Sequence, residues 1–408
     1  MNKAELLSFS MLFASSGILT VNPGAVAFLY YTQDWQHLMK IGILTIHNAK
    51  NFGAVLQAYA LQHSVGSEFE DVKVINYNNP HISSSLNIVR PARSISSIRR
   101  TVLDIIEFRS RQRACKKFKT FINKYLKVTT PFHKGEKPEE EFDIYLLGSD
   151  QVWNPNCISS TSTLDSTYFF DFAPKHSLKA SYATSAGAHI FTEKEATKVR
   201  SLLHDFKHIG VRELELKRQI EKIFNLKVSE VLDPTLLLTS EEWSQNFDLD
   251  QENDQPYMVS YFVNRKNSFY NDILVKISKQ LELPIISISP GILPDRSASK
   301  VYKDAGPLDF MRLIKNSSYV VTDSFHGVAF SLIFKIPFSV TSPGKSVIRI
   351  ENLLRKLGLQ ERVIHPESHQ DFIQTSLSYS EASIKLDQER FKSKQFLSSI
   401  FAAQPNNK

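Results

Sequence analysis

The chain has 408 residues, more than one ordinary hydrophobic core absorbs, so two domains of similar size with a cleft between them are expected. Its 42% apolar and 22% charged residues exclude a disordered or fibrous protein and suit a soluble globular enzyme. The only two cysteines, Cys115 and Cys157, have no His or Cys at ligand spacing, which argues against a disulfide framework or a zinc site and for a reducing, cytoplasmic compartment.

Residues 1–38 pose a question of their own. "LLSFSMLFASSGILTV" (6–21) followed by "PGAVAF" (23–28) loosely resembles a secretory signal, diluted by serines and too short to span a bilayer. The other reading, which we favour, treats 1–38 as an extension before a true start at Met39, because "MKIGILTI" is a complete first strand.

From Met39 short β-branched runs alternate with amphipathic helices, the pattern of a parallel sheet covered by helices. The strand 40–46 leads into the turn "HNAKNFG" (47–53), which offers His47, Asn48 and Asn51, and then into a helix over 54–65. A strand over 72–77 precedes a basic insertion, 86–127. Within it, residues 90–127 hold twelve Lys/Arg against Asp104 and Glu107, a local excess of +10 in a chain whose net charge is +7. Apolar residues at 102, 105, 106, 118, 121 and 122 predict a helical pair or arm there. Its charge suits an anionic surface such as phospholipid headgroups, a lipid-linked diphosphate sugar or nucleic acid; a solvated helix face is the plainer account.

The sheet resumes at 142–150, ending in Gly148, Ser149 and Asp150, with Trp153 just beyond, whose flat face suits a sugar ring but which base rates place in the core. Strands over 178–188 and 208–213, helices near 193–206 and 213–225, and a last run over 228–238 complete an N-terminal lobe of 39–240. Arg212 stands at a strand-to-helix junction, placed either to bind a carboxylate or phosphate with two parallel hydrogen bonds or to pair with Glu213 or Glu215. Residues 239–255 show no apolar period, and 241–255 are read as the linker.

A second alternation over 256–362 forms the C-terminal lobe, and 363–408 are read as a helical tail. In "YVVTDSFHGVAFSLIF" (319–334) a strand ends near Asp323 and a helix begins near Gly327, leaving Ser324, Phe325 and His326 in an exposed turn. The unpaired N–H groups and dipole of that helix start suit an anion, Gly327 would let the anion approach closely, and His326 can exchange a proton near neutral pH. In the plainer account His326 packs or caps the turn while Asp323 and Ser324 act as N-caps. Open parallel sheets bind ligands outside the carboxyl ends of their strands, which is where these candidates lie. No P-loop, H-E-x-x-H, G-x-S-x-G or metal-binding carboxylate cluster is recognisable.

"GILTIHNAKNFGAVLQAYAL" (42–61), "LLGSDQVWNP" (146–155), "YATSAGA" (182–188), "VREL" (211–214), "VLDPTLLL" (231–238) and "TDSFHGVAFSLIF" (322–334), taken in order, resemble the polysaccharide pyruvyl transferase family. The resemblance implies two Rossmann-like α/β lobes facing a cleft, a glycosyltransferase-B-like architecture. It further implies transfer of an enolpyruvyl group from phosphoenolpyruvate to a sugar of a surface polysaccharide or its lipid-linked precursor, with phosphoenolpyruvate a co-substrate and no cofactor or metal. His326 matches the family's acid/base residue and Arg212 a donor-binding one. Relatives often carry an Arg where this chain has Ser324, and Arg349 is the candidate to restore that charge. The partners implied are phosphoenolpyruvate and a saccharide or lipid-linked oligosaccharide, with peripheral contact at the inner membrane face through 90–127 and no nucleic acid. Two alternatives stay open: a nucleotide-sugar glycosyltransferase of the same architecture, and a non-catalytic relative at the membrane surface.

Overall fold

A computed structural model describes residues 39–92, 95–250, 255–264, 268–289, 297–341, 347–365 and 375–402; both readings of 1–38 lie outside the described residues. Two six-stranded sheets, parallel throughout, organise the chain. The first has the order β2-β1-β3-β4-β5-β6, from β1 (Lys40–Leu44), β2 (Asp71–Val74), β3 (Ile144–Leu147), β4 (Leu178–Thr184), β5 (Phe206–Val211) and β6 (Ser229–Glu230). The second has the order β12-β11-β10-β7-β8-β9, from β7 (Met258–Tyr261), β8 (Ile285–Ile288), β9 (Lys300–Tyr302), β10 (Tyr319–Thr322), β11 (Phe338–Thr341) and β12 (Val363–Ile364). Strands such as β3 and β10 are buried on both faces, so their sequences read as unbroken apolar runs rather than alternating ones. The strand order reverses between β1 and β3 in the first sheet and between β7 and β10 in the second, and these switch points are where such sheets place ligands. The two Rossmann-like lobes implied by the resemblance are therefore present.

Helix α1 (Phe52–Gly66) belongs to the first lobe, and the basic insertion forms α2 (Ile95–Ile106) and α3 (Phe108–Tyr125). Helices α4 (Glu193–Leu203) and α5 (Leu214–Phe224) follow in the first lobe; α6 (Ser240–Asn246) precedes the second, which carries α7 (Ser268–Leu281), α8 (Pro307–Lys315), α9 (Phe325–Phe334) and α10 (Val347–Leu357). The last helix, α11 (Ser380–Ala402), returns to the first lobe, where Phe401 packs 4.6 Å from Phe69 and Ser393 Oγ accepts from Leu232 N at 2.9 Å. One core joins the lobes: Phe52 of α1 stacks on Phe310 of α8 at 4.7 Å and on Phe118 of α3 at 5.3 Å. The ion pairs Arg113–Asp304 and Lys117–Asp309 tie α3 to the second lobe beside this cluster.

Four details depart from the sequence reading. The segment 239–255 contains α6, started by a capping box between Thr239 and Glu242 and anchored by a fully buried Trp243 whose Nε1 donates to Thr235 O at 3.2 Å. One large aromatic holds this short helix, so no apolar period was visible. The run 228–238 is not one strand: it breaks after β6 into a 3₁₀ turn, Pro234–Leu237, because Pro234 has no N–H to offer a ladder and Asp233 caps the turn. Helix α9 begins at Phe325 rather than Gly327, which draws its start out of solvent: Ser324 is 5% exposed and the His326 side chain 14%. Finally, Phe118, Phe121 and Ile122 of α3 are buried in the core, whereas Val102, Ile105 and Ile106 of α2 are exposed.

Candidate active site

The site forms where the carboxyl ends of the two sheets meet. Beyond β3, Ser149 is fully buried and its Oγ donates to Asp233 Oδ2 at 2.9 Å. Beyond β5, Arg212 donates from Nε to Glu213 Oε1 at 3.0 Å and from Nη1 to Asp233 Oδ2 at 2.9 Å. Its guanidinium carbon lies 5.0 Å from the Phe325 ring centroid, so the first turn of α9 covers it. Among the described residues its Nη2 makes no hydrogen bond. Beyond β6, Asp233 also accepts from Thr235 N at 3.0 Å and Thr235 Oγ1 at 2.8 Å through Oδ1.

From the second lobe His326 reaches this cluster, with Nε2 3.8 Å from Asp233 Oδ1. That nitrogen is buried and has no hydrogen-bond partner. The other edge of the ring lies on Gly53, in the first turn of α1: a Cβ built there would stand 2.0 Å from His326 Nδ1. A residue with any side chain at 53 would therefore displace the imidazole. Two helix starts, those of α1 and α9, thus converge on the ring, each with its unpaired N–H groups and positive dipole end. The switch point of the second sheet is fixed by Asp323, which accepts from Val263 N at 2.6 Å and Asn264 N at 3.0 Å and so locks the ends of β7 and β10 together.

Electrostatics follow from this packing. Burial, the largest cause, lowers the His326 pKa below its ordinary value; the nearby cations Arg212 and Arg349 act in the same direction, and Asp233 and Asp150 oppose them without prevailing. His326 is therefore neutral at pH 7. Burial pushes the Asp233 carboxyl up, but His326, Arg212 and the hydrogen bonds from Arg212 and Thr235 outweigh it and hold the group below the usual carboxylate range. Among these causes Arg212 is the permanent charge, its Nη1 fixed 2.9 Å from Asp233 Oδ2.

Arg349, in the first turns of α10, lines one small cavity with Arg212, Asp233 and Phe325. Burial, then the Arg212 charge, lower its pKa. Helix α10 is held against the first lobe by Asn352 Nδ2 donating to Glu215 Oε2 at 2.8 Å and by Lys356 pairing with Glu230 at 2.8 Å.

The structure thus brings together Ser149, Arg212, His326 and Arg349, with Asp150 close enough to bias the histidine. Other candidates carry structural work. Ser324 is the N-cap of α9, its Oγ accepting from Gly327 N at 3.4 Å. Gly327 faces Thr322, whose Oγ1 would lie 2.4 Å from a Cβ, so glycine is required there by packing against the strand rather than by the approach of an anion. Gly148 similarly packs on Thr45, at 2.8 Å from a built Cβ. Asn51 caps α1 by accepting from Ala54 N at 3.2 Å, and Asn48 donates to Tyr77 O at 3.2 Å. Asp150 adopts a positive φ of 78° and accepts from its neighbour Gln151 N at 2.8 Å. Trp153 is a core residue, stacked 5.4 Å from Phe169 and wholly buried, not a sugar platform. Asp233 and Gly53 were missed as site residues. The Asp-Pro pair after a strand signals a cap, and nothing local reveals that the same carboxylate meets residues from both lobes.

The candidate site thus lies between two Rossmann-like lobes, with a histidine from one facing an Arg–Asp pair from the other. The family model described as polysaccharide pyruvyl transferase matches residues 51–344, and the chain belongs to that family. No curated protein matches it in sequence. Among solved structures it is similar to the UDP-GlcNAc 2-epimerase from Methanocaldococcus jannaschii (13% identity, 90% of this chain and 100% of that one, TM-score 0.46). It is also similar to the UDP-GlcNAc 2-epimerase from Neisseria meningitidis (12% identity, 89% and 99%, TM-score 0.43). A third is the sucrose-phosphate synthase from Thermosynechococcus elongatus (10% identity, 90% and 100%, TM-score 0.42). Among the described residues no helix is long and apolar enough to cross a membrane.

Proposed function

We propose that the chain transfers the enolpyruvyl group of phosphoenolpyruvate to two hydroxyls of a saccharide, forming a pyruvate ketal and releasing phosphate. The observation that carries this reading is the unpartnered Nε2 of His326, buried at the lobe junction beside Asp233 and flanked by Arg212 and Arg349. The reaction needs one proton donor and cations for a donor molecule bearing a carboxylate and a phosphate, and these residues supply both.

In the free site His326 is neutral. A dianionic phosphate beside it raises its pKa, so the donor enters with uptake of a proton onto the ring. The imidazolium then protonates the methylene carbon of the enol, and the adjacent carbon becomes an oxocarbenium-like centre that the first sugar hydroxyl attacks. Loss of phosphate regenerates such a centre, and a second hydroxyl closes the ketal. Of the two hydroxyl protons, one replaces that given by His326 and the other leaves with phosphate. Arg212 Nη2 and Arg349 meet the donor's anionic groups, and Asp233 fixes Arg212 while its field stabilises the imidazolium. Arg349, from the following helix, supplies the charge that Ser324 does not.

The acceptor belongs to a surface polysaccharide or its lipid-linked precursor. Incubation with phosphoenolpyruvate and a panel of oligosaccharides, followed by phosphate release, tests the reading: acceptor-dependent release supports it, and activity with nucleotide sugars alone contradicts it.

A further inference from the structure

Helix α2 carries the largest concentration of exposed apolar side chains among the described residues: Ile98 (50% exposed), Val102 (47%), Ile105 (58%) and Ile106 (67%), continued by Phe108 (43%) at the start of α3. The spacing 98, 102, 105, 106 is that of one helix face. The opposite side of α2 is pinned to the body: Asp104 is buried and accepts from Arg90 N at 3.0 Å, Nε at 2.8 Å and Nη2 at 2.6 Å, with Arg111 Nε 3.2 Å away. The apolar face is therefore held outward by a buried ion cluster and is not a loose end of the core.

The charges divide accordingly. Arg90 and Arg111 are spent on Asp104, while Arg113 and Lys117 tie α3 to the second lobe. Of the arginines in the described part of the insertion, Arg99, Arg100 and Arg109 remain, all exposed and forming no ion pair among the described residues. Arg99 flanks the apolar stripe, and Arg109 follows directly on its Phe108 end. Scattered surface apolar residues need no explanation, but a contiguous apolar stripe rimmed by unpaired arginines does.

We propose that α2 is a membrane-docking element that lays Ile98, Val102, Ile105, Ile106 and Phe108 into the interface of an anionic lipid bilayer, with Arg99 and Arg109 on the headgroup phosphates. An amphipathic helix with a cationic rim binds in this way, in the plane of the interface, and the arginine stems can lie along apolar surface while their heads stay at phosphate level. Charge complementarity selects this occupant over a second copy of the chain, because a self-complementary contact through the same patch would set these arginines against one another. The inference stands apart from the donor chemistry; α2 contributes no residue to the active site described above.

The test is flotation of the full chain with vesicles of phosphatidylglycerol and phosphatidylcholine, and with phosphatidylcholine alone, alongside sedimentation of the free protein. Wild-type protein floats with the anionic vesicles and stays behind with the neutral ones. Ile105→Ser/Ile106→Ser lowers the vesicle-bound fraction by about tenfold or more. Arg99→Gln and Arg109→Gln lower it by about fivefold each at low salt, and by less as added salt screens the wild-type attraction. Unchanged far-UV spectra and melting temperature keep the variants interpretable, since all sites are exposed. Equal binding to neutral vesicles, wild-type binding by the Ile105→Ser/Ile106→Ser variant, no binding to anionic vesicles, or a dimer dissolved by that same variant would each overturn the proposal.

Discussion

His326 of the second lobe and Asp233 of the first stand 3.8 Å apart, Nε2 to Oδ1, across the lobe junction. This is too long for a hydrogen bond and short enough for the carboxylate's field to act strongly, because both groups are shielded from water. The histidine is thereby left with a free nitrogen while a charge able to stabilise its protonated form is fixed beside it. Asp233 can play this part because Arg212, Ser149 and Thr235 hold both of its oxygens.

His326→Ala is expected to lower kcat by 10²–10⁴-fold, roughly 3–5 kcal/mol of barrier, with the melting temperature little changed. The pH profiles of the wild type should split. A free enzyme with a depressed histidine pKa loses kcat/KM as pH rises through a value below 6.5, whereas kcat, reporting the complex with the dianionic donor, holds to higher pH. Coincident limbs, or wild-type rates in His326→Ala, would remove His326 from the chemistry.

The same depression bears on stability. A histidine whose folded pKa lies below its unfolded 6.5 binds fewer protons in the folded state over that window, so stability rises with pH there and is lost as pH falls below 6.5. His47, buried with Nδ1 on Thr45 O and lowered chiefly by burial, adds to the effect. Denaturation midpoints measured across this range should fall on acidification, and His326→Asn should flatten the slope without abolishing it. A slope unchanged in His326→Asn would contradict the assignment.

Gly53→Ala isolates position from identity. Alanine favours a helix by up to about 1 kcal/mol over glycine, yet a Cβ here would stand 2.0 Å from His326 Nδ1 and force the ring away. Misplacement of a catalytic group by about 1 Å can cost 10²-fold, so kcat should fall by about that factor with secondary structure intact. An active Gly53→Ala enzyme would show that ring position is unimportant.

Arg349→Ala is expected to raise the KM for phosphoenolpyruvate by about tenfold or more while leaving the KM for the saccharide within a few-fold, and Arg349→Lys to recover part of the loss as a point charge without the planar fork. Equal donor KM in wild type and Arg349→Ala would leave the charge missing at Ser324 unreplaced.

How much of this was legible in the sequence depended on whether the cause was local. The two sheets were readable because their strands are short apolar runs between turn residues, and His326 and Arg212 because both follow such runs. The extent of α9 was misjudged by two residues, since Ser324 caps the helix before Phe325 and a Gly at 327 looked like a boundary when it serves packing on Thr322. The partnership of Asp233 with His326 joins positions 93 apart in sequence, and the contact of Gly53 with His326 joins positions still further apart; no period or propensity reports such pairs. The apolar residues of α2 and α3 look alike in sequence, yet only those of α3 find the core, because which face of an insertion turns inward is decided by tertiary contacts such as Asp104 with Arg90.

The most direct test of the central claim is the reaction run with phosphoenolpyruvate and a saccharide acceptor in D₂O, with the product read by mass spectrometry and NMR. The mechanism predicts one phosphate released per acceptor modified, a mass gain of one pyruvate less one water, and a single deuterium in the new ketal methyl group, delivered through His326 and absent in His326→Ala. Phosphate release without ketal formation, or a product methyl lacking deuterium, would contradict it.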